Sequence, residues 1–563
     1  MKVKRMIASC CAAVLSLSLL AGCGREAVNP NHTDGQGSGS KLQLYVSNYE
    51  GGFGKVWLEE AAKRFEQLHK DDTFSNGRVG VEIKITSSIN GTAGSSFVQN
   101  LGTNSNDIFF TEDAFYYDVT AGGFALDISD VVTETLSAYG ENRSIEDKMD
   151  DALVNFFKTA DGKYYGLPHY ETYYGIVYNV DVFDQKGLWI STEGEYIRPG
   201  EGTKANGPDG KPGTYDDGLP ATYDEFYALC DYMTTVGVTP FVLPGSIVAC
   251  ETLMMYQLFA DYEGRDNFML NYTFDGVATD LVSSVAGGLN EHGVFDGMME
   301  PTKIDASNGY LVRRQAGIYA ALEFAKNIVD HASTWCTSGS FLQSEDHLSA
   351  KHTYLKNGRA TQDNLVAFLV DGVWWENEAE ENNIFATWEP YGAPTRETGR
   401  FAMLPFPKAS EDQIGTRTIA TNCNLSLSFI NAKLASDPEK AAVAKEFLRF
   451  LHTDEEMQNF SVSTGTLKPF HYSIPAEKKA QMSYFGQDVV NARDNESIDT
   501  VYAYANSSKF LNNFSVFYPD YLFANRNPFA DFKHPGGDTS TVEGFYEYIT
   551  ESCSKSWWDK LKG

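Results

Sequence analysis

Positive charge is scarce in this chain of 563 residues: 45 lysines and arginines stand against 76 aspartates and glutamates, for a formal net charge of −31. Such a surface repels nucleic acid and anionic lipid headgroups, which removes both as expected partners. Cysteine is thin as well. Cys10 and Cys11 fall in an N-terminal apolar run and Cys23 just after it, which leaves Cys230, Cys250, Cys336, Cys423 and Cys553. An odd number at wide spacings is neither a disulfide scaffold nor a zinc pattern, and buried free thiols are the expected state, although export would permit one bridge. After residue 20 no apolar stretch is long enough to span a bilayer. The chain also lacks a nucleophile elbow, a zinc-binding helix motif and a phosphate loop, and Gly51-Gly52-Phe53-Gly54 does not have the glycine spacing of a dinucleotide fingerprint. What is plentiful is apolar and aromatic surface, 42% and 13% of residues, too much for a disordered chain. About 520 residues beyond the N-terminal region suffice for two large domains or three ordinary ones.

Lys2, Lys4 and Arg5 precede the apolar run Met6 to Leu20, and Leu20-Ala21-Gly22-Cys23 follows. A charged start, a short apolar region and small residues before the cut make an export signal over residues 1–22. Leu-Ala-Gly-Cys resembles the lipobox of bacterial lipoproteins, which implies cleavage before Cys23, lipidation of that cysteine, and a place on the extracytoplasmic side of a bacterial cell membrane. Residues 23–40 are polar and rich in glycine and serine, a flexible tether between lipid and folded protein.

The folded part opens with clean alternation at Leu42, Leu44 and Val46, then a helix with Trp57, Ala61, Phe65 and Leu68 on one side, then Val79, Val81, Ile83 and Ile85, then Asp107-Ile108-Phe109-Phe110. Strand, helix and strand at this spacing predict a parallel βαβ unit in an α/β domain. Ligands of open α/β sheets sit beyond the carboxyl ends of the strands. That rule selects Tyr49-Glu50, Asn90-Gly91-Thr92 and Thr111-Glu112-Asp113 as ligand loops.

At the centre, Tyr164-Tyr165-Gly166-Leu167-Pro168 reads as a turn and the run from Thr172 to Tyr178 as a strand. Tyr170, Glu171, Thr172 and Tyr173 between them offer ring faces and hydrogen-bonding groups that suit a sugar. A second apolar strand, Leu365 to Val370, ends at Asp371-Gly372-Val373-Trp374-Trp375-Glu376. Adjacent strand positions face opposite ways, so one indole is expected in the core and the other at the mouth of a cleft. Tyr502, Tyr504, Phe514, Phe517 and Tyr518 offer further rings. Helices are predicted from Thr222-Tyr223-Asp224-Glu225, over Glu251 to Phe259 and Gly317 to Val329, and after Asp437-Pro438, with a buried stripe of Ala441, Ala444, Phe447, Leu448 and Leu451. Thr453 and Glu456 form another capping box. In the glycine-rich stretch Gly207 to Gly218, Asp209, Asp216 and Asp217 are candidate oxygen ligands for a structural calcium, on a loop that is otherwise a solvated hairpin.

Taken together, Tyr-Gly-Leu-Pro leading to Tyr178-Asn179, Gly123 to Ile128, the Gly-x-Trp element at Gly372 to Trp374, Thr421 to Ser428 and the run from Ser436 to Pro469 resemble bacterial extracellular solute-binding proteins of the carbohydrate type. The resemblance implies a two-lobed α/β fold of periplasmic-binding type, each lobe a mixed sheet flanked by helices. It implies a first lobe from residues 41–170 with 423–490, a second from 171–422 with 491–563, and hinges near Tyr170 to Thr172 and Ile419 to Cys423. It also implies a monomer that closes on an oligosaccharide, hands it to the permease of an ABC importer, and has no catalytic residues or cofactor. Tyr49, Glu50, Glu112, Asp113, Tyr170, Glu171, Trp374, Trp375, Glu376 and Asn422 are the ligand-binding candidates. The competing readings are an exported glycosidase with two carboxylates, such as Glu112 and Glu376, and a tethered sugar sensor or adhesin.

Overall fold

The computed structural model describes residues 40–88, 93–341, 344–356, 365–421, 426–502 and 522–561. Cys23, the expected leader and tether, Asn90 to Thr92, Asn422, Cys423 and the rings of Tyr504, Phe514, Phe517 and Tyr518 lie outside the described residues.

Alternating apolar residues form β1 (Leu42–Tyr49), followed by α1 (Val56–Leu68), β2 (Val81–Ser88) and β3 (Ile108–Thr111). Both β2 and β3 lie parallel to β1, with Leu42 beside Val81 and Val46 beside Ile108, as helical crossovers require. Trp57, Ala61 and Phe65 are buried, but Leu68 is 60% exposed. The packed layer ends at Phe65, whose ring meets Phe447 and Phe450 at 4.9 and 5.5 Å, so the last turn of α1 overshoots the core.

The chain continues through β4 (Leu167–Pro168), β5 (Tyr174–Asn179), α2 (Tyr223–Thr235), β6 (Val238–Val242), α3 (Val248–Thr273), α4 (Ala316–Asp330), α5 (His347–Lys356) and β7 (Leu365–Gly372). Then come α6 (Trp375–Glu381), β8 (Phe401–Met403), β9 (Arg417–Thr421), β10 (Leu427–Ile430), α7 (Pro438–Leu451), α8 (Asp454–Thr464), α9 (Tyr484–Arg493) and β11 (Ile498–Tyr502). Helix starts follow their caps: Thr222 accepts from the Glu225 amide, Asp437 from Lys440 and Thr453 from Glu456. Helix α3 outruns its predicted end at Phe259 by bending at Gly264, whose φ of +68° a side chain would strain.

Two sheets carry the architecture, one in the order β2-β1-β3-β10-β4 and the other β8-β5-β7-β6. Strand β10 runs antiparallel to β3 and β4, while β7 runs antiparallel to β5 and parallel to β6. Helices α1 and α7 cover the first sheet, and α2, α3 and α5 the second. The chain leaves the first sheet after Pro168, joins the second at Tyr174, and rejoins the first at Leu427, with β9 and β11 paired in parallel beside the return. Among the described residues, no helix is long and apolar enough to cross a membrane, and Cys230, Cys250, Cys336 and Cys553 are free thiols.

Candidate ligand-binding cleft

Where β1 ends, the buried Asn48 holds the following loop: its amide donates to the Gly54 carbonyl (3.1 Å) and to Ser87 Oγ (2.9 Å), while the Gly54 amide donates to the Glu50 carbonyl (2.7 Å). Opposite, β7 stops at Gly372, and Trp374 occupies the turn before α6. Trp374 and Trp375 are therefore not the consecutive strand positions that the sequence predicts; the turn and the first helical residue send their rings apart. The Trp374 indole lies on the glycine loop of the first lobe, so close that a Cβ on Gly52 would sit 2.0 Å from Cδ1. The Asn377 side chain adds a hydrogen bond to the Gly52 carbonyl (3.1 Å).

A cavity of about 470 Å³ separates the lobes at this point. Tyr49, Glu50, Phe53 and Glu112 line it from the first lobe; Tyr174, His347, Trp374, Glu378, Glu381 and Asn382 line it from the second. Tyr174 meets Trp374 edge-on at 4.6 Å, and Phe53 stands 6.1 Å from the same indole. Tyr170 supports the wall from behind. Its ring packs on Phe53 at 4.1 Å, and its hydroxyl donates to the Glu112 carboxylate, which Tyr49 also hydrogen-bonds. Burial, then the charge of Glu112, pushes both tyrosine hydroxyls far above their ordinary range, so they act as donors to a fixed carboxylate.

Asp113 adopts φ +54° beside Glu112 and does not line the cavity, although its charge reaches Tyr49 and Tyr170. Three further candidates sit elsewhere. Trp375 is fully buried against Phe401 (4.9 Å) and Tyr354 (5.8 Å). Glu376, on the inner face of α6, accepts from Ser483 Oγ (2.5 Å) and Arg396 Nε (3.2 Å); burial lifts its pKa to about 7 against the pull of Arg396. Glu171 turns into a separate small cavity with Tyr173, Leu467 and Arg493, and burial likewise lifts it to about 7 against Arg493.

Sequence reasoning missed the second lobe's buried charge. Lys351, wholly inside α5, lies 2.5 Å from Asp371 and 2.6 Å from Glu378, and His347 Nε2 is 3.3 Å from Glu378. Burial raises Asp371; at Glu378 burial pushes the same way, but Lys351 and His347 outweigh it and hold the carboxyl low. The hydrogen bond with Glu378 raises His347 in turn. His347 and Lys351 stand one helical turn apart, which was a usable signal, but nothing in the sequence places them beside Asp371. Phe53 was within reach, since it follows a strand end already selected.

Residues 207–218 use their carboxylates within the loop. Asp216 accepts from the Asp209 amide (2.8 Å) and Thr214 Oγ1 (2.6 Å), Asp209 from the Lys211 amide (2.7 Å), and Asp217 from the Gly213 amide (2.8 Å). The carboxylates fold their own loop, and among the described residues no group of three or more acidic, histidine or cysteine side chains is placed to hold a metal.

Two helix-flanked sheets joined by an outward and a return crossing, with a cavity between them, define a two-lobed receptor of periplasmic-binding type. Residues 60–484 match bacterial extracellular solute-binding proteins, and the chain belongs to that family, a family of binding proteins that work outside the cytoplasm. Among solved structures it is similar to a chitin oligosaccharide binding protein, with 14% identity, a TM-score of 0.54, and coverage of 93% of this chain and 100% of that one. It is also similar to the solute receptor AcbH, described by its preference for β-D-galactopyranose (14%, 0.52, 92% and 100%), and to RafE in complex with raffinose (13%, 0.50, 91% and 100%). At these identities the likeness is one of fold. No curated protein matches the chain.

Proposed function

We propose that this protein is the lipid-anchored substrate-binding component of an ABC importer, which captures a carbohydrate, an oligosaccharide, by hinge closure and delivers it to the permease. The observation that carries this reading is the composition of the cavity: aromatic rings enter from both lobes, Tyr49 and Phe53 facing Tyr174 and Trp374, with carboxylates between them. Rings offer faces to pyranose C–H surfaces and carboxylates accept from hydroxyls, and contacts from both sides favour the closed state. The sugar-binding neighbours support the same class. Capture without hydrolysis is favoured because Glu376, the partner considered for Glu112 in a glycosidase, faces the protein interior. Leu20 to Cys23 supports lipidation, and the tether would leave a monomeric receptor free to meet its permease.

A glycan panel read by thermal shift tests the reading. Stabilisation by at least one unmodified oligosaccharide is expected, with no sugar released. No stabilisation across the panel, or turnover of a ligand, overturns it. For the anchor, Cys23→Ala should move the protein from membrane to soluble fractions with the same melting temperature; retention in membranes would rule out lipidation at that residue.

A further inference from the structure

Charge in the cleft is one-sided. Carboxylates of Glu50, Glu112, Asp371, Glu378 and Glu381 line it; among the described residues no lysine or arginine does, and the one imidazole in the lining, His347, lies 3.3 Å from Glu378. Lys351, one layer behind, is engaged by Asp371 and Glu378. That leaves Glu50 on the first lobe facing Glu381 on the second. The Glu381 carboxyl reaches across to the glycine loop, where a Cβ on Gly54 would lie 2.7 Å from Oε1. Burial and then the charge of Glu50 raise the Glu381 carboxyl; Lys55 and Arg396 oppose this and Glu59 adds to it. Lys55 is itself shared with Glu59 at 3.8 Å, and Arg396 with Glu376 at 3.2 Å, so the repulsion across the cleft survives both.

We propose that the cleft ranks saccharides by charge: amine-bearing sugars bind tightest, neutral ones less tightly, and uronates are rejected. This rests on the carbohydrate reading above and names the substrate class within it. A protonated amine between Glu50 and Glu381 converts a repulsion between lobes into two attractions, and the faces of Phe53, Tyr174 and Trp374 favour a cation beside them. A neutral sugar finds the same rings and acceptors but leaves the two carboxylates opposed. A uronate adds another anion to a site whose lining imidazole, His347, already faces Glu378 at 3.3 Å, within a chain of net charge −31.

Calorimetric titration of the full-length protein with tetramers of glucosamine, N-acetylglucosamine and galacturonate tests this at about pH 6, where amines are protonated. The glucosamine tetramer should bind at least about ten-fold tighter than its N-acetylated form, a gap of about 1.4 kcal/mol, and galacturonate should not bind. The gap should shrink at high salt and close in Glu50→Gln and Glu381→Gln, which keep hydrogen-bonding shape, because the glucosamine tetramer loses more affinity than the N-acetylated one. Melting curves matching wild type show that these variants fold. Equal or tighter binding of the N-acetylated tetramer, binding of galacturonate, a gap that persists in both variants, or silence from all three tetramers overturns the inference. In each case the carbohydrate reading stands or falls separately, on the wider panel.

Discussion

The two walls of the cleft are made differently. The first-lobe wall is backbone geometry: Tyr49, Glu50 and Glu112 occupy the carboxyl ends of neighbouring parallel strands, and Asn48 fixes the loop that follows the first of them. The second-lobe wall is assembled from the start of α5, the turn after β7 and the last turn of α6, held together by a buried lysine with two carboxylates. A strand-end wall needs no buried charge, whereas a wall gathered from separate helices depends on one, and this gives the halves different sensitivities to substitution.

The largest break in that contrast should come from Lys351→Met. Removing the cation leaves Asp371 and Glu378 buried together, a loss of ~3 to 5 kcal/mol, read as an earlier urea midpoint. A smaller effect, near that of a surface change, would mean that the second wall does not rely on its ion cluster. Trp375→Ala should cost nearly as much, ~3 to 5 kcal/mol, with sugar affinity kept by the folded fraction. Its neighbour should divide its effect differently: Trp374→Ala, which removes an indole packed on the glycine loop and Tyr174, is expected to lose less stability than Trp375→Ala and to weaken binding by ~1 to 3 kcal/mol. If the two variants lost stability and affinity alike, the division between core and cleft at this turn would be wrong.

The smallest effect concerns the crossing between the lobes. Burial raises Glu171 to about 7, so the fold favours its neutral form. The stability this provides is complete below the ordinary glutamate range and is lost as pH rises through about 7. Melting temperature should therefore fall more steeply between about pH 5 and about pH 8 in wild type than in Glu171→Gln; parallel profiles would remove Glu171 from the account.

The same contrast explains what could be read from the sequence. Period-two patterning and the strand-end rule locate Tyr49, Glu50 and Glu112 because register in a parallel sheet follows directly from side-chain alternation. The capped helices from Thr222, Asp437 and Thr453 were equally legible, since each cap is a local contact. One indole in the core and one at the cleft is what the sequence predicts, but the parting of Trp374 and Trp375 and the inward turn of Glu376 come from a helix start, and nothing in Gly-Val-Trp-Trp says that the helix begins at the second tryptophan. His347, Glu378 and Glu381 were not found because their meeting depends on how α5 and α6 pack, which is a tertiary fact. The carboxylates of Asp209, Asp216 and Asp217 were ambiguous for a related reason. Acidic residues among glycines suit a cation and suit turn formation equally well, and here backbone amides of the loop donate to each of the three.

Helix α3 begins beside the cleft, where Ile247 and Cys250 help to line it, and is fastened further along to the return strand. Gln257 brackets Ala420, accepting from its amide (3.0 Å) and donating to its carbonyl (2.5 Å), and Asp261 accepts from the Thr418 amide (2.8 Å) and from Lys408 (2.7 Å). Strand β9 is thus tied to helix α3 at both Thr418 and Ala420. From Gln257 to Cys250 the helix runs about 10 Å, so about two rigid turns link the fastened strand to the wall of the cleft.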